Sequence, residues 1–90
     1  MIKLIKYSAV WCPPCALLTF VWNKVIEKYK DNIDIKFIKV DIDQDPELAA
    51  KYNITSVPTI VFEKDGVVKN SIVGLVNEQT ILNAIQELMR

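Results

Sequence analysis

The strongest constraint on this chain is a run of five residues, Trp11-Cys12-Pro13-Pro14-Cys15, close behind an apolar segment, Ile2 to Tyr7. The run holds both cysteines and two of the four prolines in the 90 residues. Proline is tolerated in the first turn of a helix, where the missing N–H had no intrahelical partner in any case. Pro13 and Pro14 therefore mark a helix start, and a helix is expected from about Pro14 to Tyr29. Residues three apart on a helix share a face at about 5 to 6 Å between Cβ atoms, and a disulfide requires Cα atoms about 4.4 to 6.8 Å apart. Cys12 and Cys15 can join or separate with little backbone movement. Cys12 falls at the amino-terminal end of the helix, where the macrodipole and free N–H groups favour thiolate over thiol. A thiolate is the species that attacks a disulfide.

The flanking segments read as alternating strands and helices. Ile2 to Tyr7, apolar with two lysines, is expected as a short central strand. Along the first helix Thr19, Asn23, Glu27 and Lys30 form a polar stripe, while Leu18, Val21, Trp22, Val25, Ile26 and Tyr29 form a broad apolar face that packs on the sheet. Asp31 and Asn32 break the pattern. Ile35 to Val40 then forms a strand that a right-handed helical crossover sets parallel to the first. Asp45-Pro46-Glu47 is a helix-start signature with Asp45 as N-cap, and the helix runs to about Tyr52. Thr59 to Glu63 and Val67 to Val73 flank Lys64-Asp65-Gly66 as a β-hairpin. Asn77 caps a last helix, with Ile81, Leu82, Ile85, Leu88 and Met89 at helical spacing. The expected fold class is α/β, with order β-α-β-α-β-β-α, a four-stranded mixed sheet flanked by helices, in one domain spanning residues 1–90.

Composition narrows the function classes. Eleven basic and eleven acidic residues leave no net charge, and no basic run follows a phosphate backbone, so nucleic acid is not an expected partner. The amino terminus is interrupted by lysines and has no apolar stretch of about 7 to 15 residues, so no secretory signal is expected there. No segment approaches the roughly 20 apolar residues that span a bilayer, and no membrane association is expected. A reducing cytoplasm is the expected setting, and there a close cysteine pair points to catalysis or metal. Zinc normally takes four Cys or His ligands, and the chain offers two cysteines and no histidine. A purely structural bridge over so short a loop contributes only about 2 kcal/mol. Redox chemistry is the reading that remains, with no cofactor beyond the Cys12–Cys15 disulfide itself.

The chain also resembles the thioredoxin family. Besides Trp11-Cys12-x-Pro14-Cys15, Phe37-Ile38-Lys39-Val40-Asp41-Ile42-Asp43, Ser56-Val57-Pro58-Thr59, Lys64-Asp65-Gly66 and Val73-Gly74 are similar to successive landmarks of that family in order and spacing. The resemblance implies a thioredoxin-like fold without the strand and helix that usually precede the active-site strand. Ile35 to Val40 then becomes a sheet edge, with Lys36 and Lys39 placed to discourage edge pairing. It implies Cys12 as nucleophile and Cys15 as resolving thiol. From the sequence alone Pro58 would be an ordinary trans turn; the resemblance implies a cis-proline beside the cysteines, with Val57 offering backbone hydrogen bonds to an extended substrate. Trp11 is implied as an exposed substrate platform, whereas Trp22, on the apolar helix face, is expected in the core. Gly74 is either a turn glycine or the family glycine that leaves room for substrate backbone.

Three positions depart from the family pattern. Lys6 stands where most thioredoxins have a buried aspartate, so the proton relay ascribed to that carboxylate does not carry over. Lys6 either stabilises thiolate charge, acts as a base once desolvated, or reaches out to solvent. Lys39 matches the family lysine that pairs with the absent aspartate, leaving Asp41 or Asp43 as alternative partners. Pro13 replaces the usual glycine, removing an N–H near the sulfur and stiffening the loop. Phe20 stands where a helix-kinking proline is common, so that kink is not expected.

The function implied is a thiol-disulfide oxidoreductase reducing protein disulfides by dithiol–disulfide exchange. Its partners would be disulfide-containing proteins and, as electron donor, a thioredoxin-reductase-type flavoprotein or glutathione; a monomer is expected. Other enzyme readings are a glutaredoxin-like glutathione-linked reductase and a disulfide oxidase or isomerase. Against the glutaredoxin reading, the intervening dipeptide is Pro-Pro, and Gly74-Leu75-Val76-Asn77 lacks the glycine pair and aspartate used on glutathione. A non-enzymatic reading is an accessory binding module built on Trp11, Val57, Pro58 and Gly74.

Overall fold

A computed structural model describes all residues, 1–90. The elements in chain order are β1 (Ile2–Ser8), α1 (Pro13–Tyr29), β2 (Ile35–Asp41), α2 (Pro46–Lys51), β3 (Thr59–Lys64), β4 (Val67–Val73) and α3 (Glu78–Met89). They form one four-stranded sheet in the order β2-β1-β3-β4. β1 pairs parallel with β2, from Ile2 opposite Ile35 to Ser8 opposite Asp41, and antiparallel with β3, from Ile2 opposite Lys64 to Tyr7 opposite Thr59. β4 completes the antiparallel hairpin, whose turn residues Asp65 and Gly66 have φ of +53° and +83°. Two successive positive φ values match the twist of the flanking strands, and Asp-Gly accepts them with little strain.

Side chains alternate across a strand, and β1 is buried on both faces. Leu4 joins the larger core with Leu18, Trp22 and Val25 of α1, Ile60 and Phe62 of β3, and Ile81, Leu82 and Ile85 of α3. Ile5 and Tyr7 point the other way, into a smaller core with Val40 and Val61 that Ile42, Tyr52 and Ile54 close. α1 runs unbroken for 17 residues, and its buried positions Cys15, Leu18, Trp22 and Val25 follow the 3–4–3 spacing of one helix face. Trp22 meets Phe37 edge to face at 5.4 Å between ring centroids, while its indole N–H is buried without an acceptor.

The helix ends differ in how they are made. Asn77 caps α3 through its side chain, which accepts the Thr80 N–H at 2.9 Å. Asp45 occupies the N-cap of α2 but makes no side-chain cap bond, so Pro46 supplies the start. Met89, expected on the core face of α3, is half-exposed at its frayed end. β2 is an edge strand, with Lys36 and Lys39 both exposed.

Leu18→Ala is expected to destabilise the protein by about 2–5 kcal/mol, because Leu18 is wholly buried in the larger core and its truncation leaves a cavity there. Phe20→Ala, two residues on but 69% exposed, should stay within about 0.5 kcal/mol of the parent. Urea unfolding of the two variants checks both, and equal losses would contradict the assignment of the helix face.

Candidate active site

β1 delivers the chain to the site, with three residues, Ala9 to Trp11, between its end and Cys12. Cys12 is the N-cap of α1, in extended conformation, and its Sγ accepts the Cys15 N–H at 3.2 Å. Pro13 and Pro14 occupy the first helical positions, so the N–H groups they lack are ones a helix leaves unpaired anyway. Cys12 and Cys15 are joined as a disulfide with Cα atoms 5.2 Å apart. Both residues are buried, with Ala9 beside them and Ile42 and Val57 packed against the cluster. A cleft lined by Ser8, Ala9, Val10, Ala16, Thr19 and Asp41 opens onto the pair.

The loop before β3 closes the opposite side. Cys12 Sγ is 3.7 Å from the Val57 carbonyl oxygen, which brings the two segments together at the sulfur. The Val57–Pro58 peptide bond is cis. Neither the N–H nor the C=O of Val57 has a backbone partner, so both polar groups remain open to an incoming chain. The Gly74 N–H donates to the Pro58 carbonyl at 2.8 Å, which ties the end of β4 to this loop. Gly74 has φ of +95°, with nothing within 4 Å of where a Cβ would stand. The need for glycine is thus conformational, and open space lies in front of it.

Trp11 is 63% exposed beside the cysteines, held by its indole N–H donating to Asp43 Oδ2 at 2.8 Å. Trp11, Ile42, Ile54 and Val57 line a second shallow cleft next to the first. Val10, at 89%, adds a further exposed apolar side chain.

Lys6 does not reach solvent. It is 2% exposed, on the sheet face covered by α1. Its Nζ donates to Thr19 Oγ1 at 3.2 Å and lies 5.4 Å from the centre of the Trp22 ring. Burial pushes the amine below the ordinary lysine value of 10.5, and Lys39 adds to the shift. Lys39 itself is exposed and makes no ion pair with either expected partner. Asp43 is taken by Trp11, and Asp41 Oδ1 accepts the Asp43 N–H at 2.9 Å.

Two residues at the site were not singled out from the sequence. Thr19 was placed on the polar stripe, yet it is half-buried, and its hydroxyl donates to the Cys15 carbonyl at 3.2 Å while accepting from Lys6. Its positions four after Cys15 and seven after Cys12 are the signal, since both separations return to the same helix face. Asp43 carried no signal linking it to Trp11, because that contact joins segments 32 residues apart.

A cysteine pair at a helix start, able to close a disulfide and flanked by unpaired backbone, defines the class of thiol-disulfide oxidoreductases. Comparison with known proteins identifies the family. The family model "Thioredoxin" matches residues 1–87. Thioredoxin 1 of Synechococcus elongatus is 33% identical over 84 residues, covering 93% of this chain and 77% of the relative. The oxidised mitochondrial thioredoxin 3 of Saccharomyces cerevisiae superposes with a TM-score of 0.86 at 32% identity, covering 97% of this chain and 78% of that one. A structure from work on the thiol resolving mechanism of a yeast mitochondrial 1-Cys peroxiredoxin via glutathione/thioredoxin systems gives the same score at 31% identity, again covering 97% and 78%. The chain belongs to the thioredoxin family, and its activity is protein-disulfide reduction by thiol–disulfide exchange.

Replacing Lys6 with methionine is expected to raise stability by on the order of 1 kcal/mol, since it removes a buried charge with no ionic partner and keeps the apolar stem. The sign has a pH signature. The folded amine lies below 10.5, so between the two values the unfolded chain binds more protons and parent stability rises with pH. The Tm advantage of Lys6→Met at neutral pH should therefore shrink as pH approaches 10.5; a constant difference would contradict it.

Proposed function

We propose that Cys12 is the attacking thiol and Cys15 the resolving one, and that Trp11, Val57, Pro58 and Gly74 form the surface on which the substrate chain lies. The observation that carries this reading is the Cys15 N–H pointing at Cys12 Sγ from the first turn of α1. In the reduced protein that donor, with the helix N-terminus behind it, stabilises a thiolate on Cys12 rather than on Cys15. The Cys12 thiolate attacks a substrate disulfide, forming a mixed disulfide and releasing one substrate thiol. Cys15 then loses its proton and attacks Cys12 Sγ, re-forming the Cys12–Cys15 bond and releasing the second thiol. Substrate is reduced by two electrons and the protein oxidised by two.

The open N–H and C=O of Val57 support binding of an extended substrate segment by main-chain hydrogen bonds. Recognition of that kind is indifferent to side-chain charge, which fits a chain without net charge. All of these groups come from one chain, so a monomer suffices. The electron donor we propose is a thioredoxin-reductase-type flavoprotein, with glutathione as the second candidate; the yeast relative's study names both glutathione and thioredoxin systems. No helix is long and apolar enough to cross a membrane. A reducing compartment such as the cytoplasm supports turnover, and relatives include a chloroplastic form of Spinacia oleracea.

Cys15→Ser is expected to accumulate a mixed disulfide with a disulfide-containing protein such as insulin, visible as a new non-reducing gel band. Cys12→Ser should give none, and either variant should lose essentially all turnover. Trapping through Cys15 in the Cys12→Ser protein would reverse the assignment. A double serine variant that retained full activity in a partner assay would favour the binding-module reading.

A further inference from the structure

Lys6 is the one lysine that the fold buries, and the exchange steps above make no use of it. Its surroundings are those of a cation. The single hydroxyl proton of Thr19 is committed to the Cys15 carbonyl at 3.2 Å, so Oγ1 meets Lys6 with a lone pair. The Trp22 ring face, 5.4 Å from Nζ, is likewise suited to positive charge. No donor on either side is aimed at the lone pair of a neutral amine.

That cation has no anion. The four ion pairs of the molecule use Met1, Lys28, Lys30 and Arg90. Across the sheet Lys6 is opposite Lys39 on β2 and Ile60 on β3, and beyond Ile60 lies Ile72 on β4. α1 presents Thr19 and Trp22, and its first turn has no acidic residue; α3 contributes Ile81, Leu82 and Ile85 to this side of the sheet. Lys39 is of the same sign, and Asp41, two residues further along β2, lines the cleft with Thr19 but makes no ion pair with Lys6. The Lys6–Thr19–Cys15 chain of hydrogen bonds leads instead to the redox pair, where negative charge arises only on reduction.

We propose that Lys6 is a positioning cation of the redox couple, tied through Thr19 to the first turn of α1, which stabilises the reduced thiolate form over the disulfide. This rests on the reading that Cys12 and Cys15 cycle between dithiol and disulfide. On reduction by glutathione, two glutathione thiols are oxidised to one glutathione disulfide and the Cys12–Cys15 bond breaks. One of the two released protons goes to Cys15 and the other to solvent, leaving a thiolate on Cys12. Lys6 favours this side of the equilibrium and makes the pair a weaker reductant than the same scaffold without the charge.

The parent protein and Lys6→Met are equilibrated with glutathione buffers and their free thiols counted. The variant should shift about ten-fold toward the disulfide, equivalent to a potential about 30 mV lower. Its Cys12 alkylation by iodoacetamide should also have its pH midpoint moved upward. A folded variant with parental equilibrium and alkylation midpoint would overturn the proposal. Should Lys6→Met not fold, NMR titration of the Lys6 side chain in the unmutated protein decides it. Linkage is reciprocal, so the amine must titrate higher in the reduced protein than in the oxidised one, and equal midpoints overturn it. If even excess dithiothreitol does not reduce the parental pair, the dithiol reading fails and this inference with it.

Discussion

The structure depends on the burial of both faces of β1. It is hydrogen-bonded to a neighbour on each side and supplies Leu4 to one core and Ile5 and Tyr7 to the other. A strand held in this way has no freedom of register, because a slip of one residue would exchange every side chain between faces. The chain leaving it is therefore delivered to a fixed point, and Cys12 follows four residues later. From there Leu18, Trp22 and Val25 anchor the remaining turns of α1 in the larger core. The cysteines are thus mounted on a helix end whose position is set by packing well away from the sulfurs.

Around that helix end most of the fixed groups favour an anion, with Asp41 at the cleft wall the one carboxylate. The N-terminus of α1, the Cys15 N–H and the buried Lys6 all contribute positive potential, and no acidic side chain stands in the first turn. Desolvation makes each of these contributions larger than at a surface, since Coulomb interactions strengthen as the local dielectric falls. The outer side of the site is of different character. Val10 and Trp11 expose apolar surface, and Val57 leaves its main-chain polar groups unpaired. Attraction for an anionic sulfur is built on the protein side, and an uncharged, backbone-reading surface on the partner side.

The element order was legible because each segment carries its own local signal: period-2 or continuous apolar runs for strands, 3–4 spacing on α1 and α3, Asp65-Gly66 at the hairpin and Asn77 before the last helix. Boundaries fell within a residue or two, where caps and fraying make them ill-defined. The cysteine pair was legible for the same reason, since three residues of helix fix its geometry. The edge position of β2 followed from the family resemblance, and the sheet order bears it out. The expectation that failed involves a side-chain partner across the fold: Lys39 pairs with neither aspartate. Asp45 does stand at the N-cap of α2, though without a side-chain bond.

Sequence by itself determined the strand-to-helix junction at Cys12, the apolar faces and the dithiol chemistry, because these rest on interactions within a few residues. Tertiary structure alone decided the state of Lys6 and the roles of Thr19 and Asp43. A lysine in a strand points to whichever face the register selects, and its stem is long enough to escape to water or to stay beneath a helix. Only the packing of α1 over β1 closes the first route. Thr19 and Trp22 then give the ammonium its partners, and the same packing brings a positive charge under the redox pair. Contacts of this kind, formed between residues 13 and 32 positions apart, have no local signature because nothing near either residue in the chain depends on them.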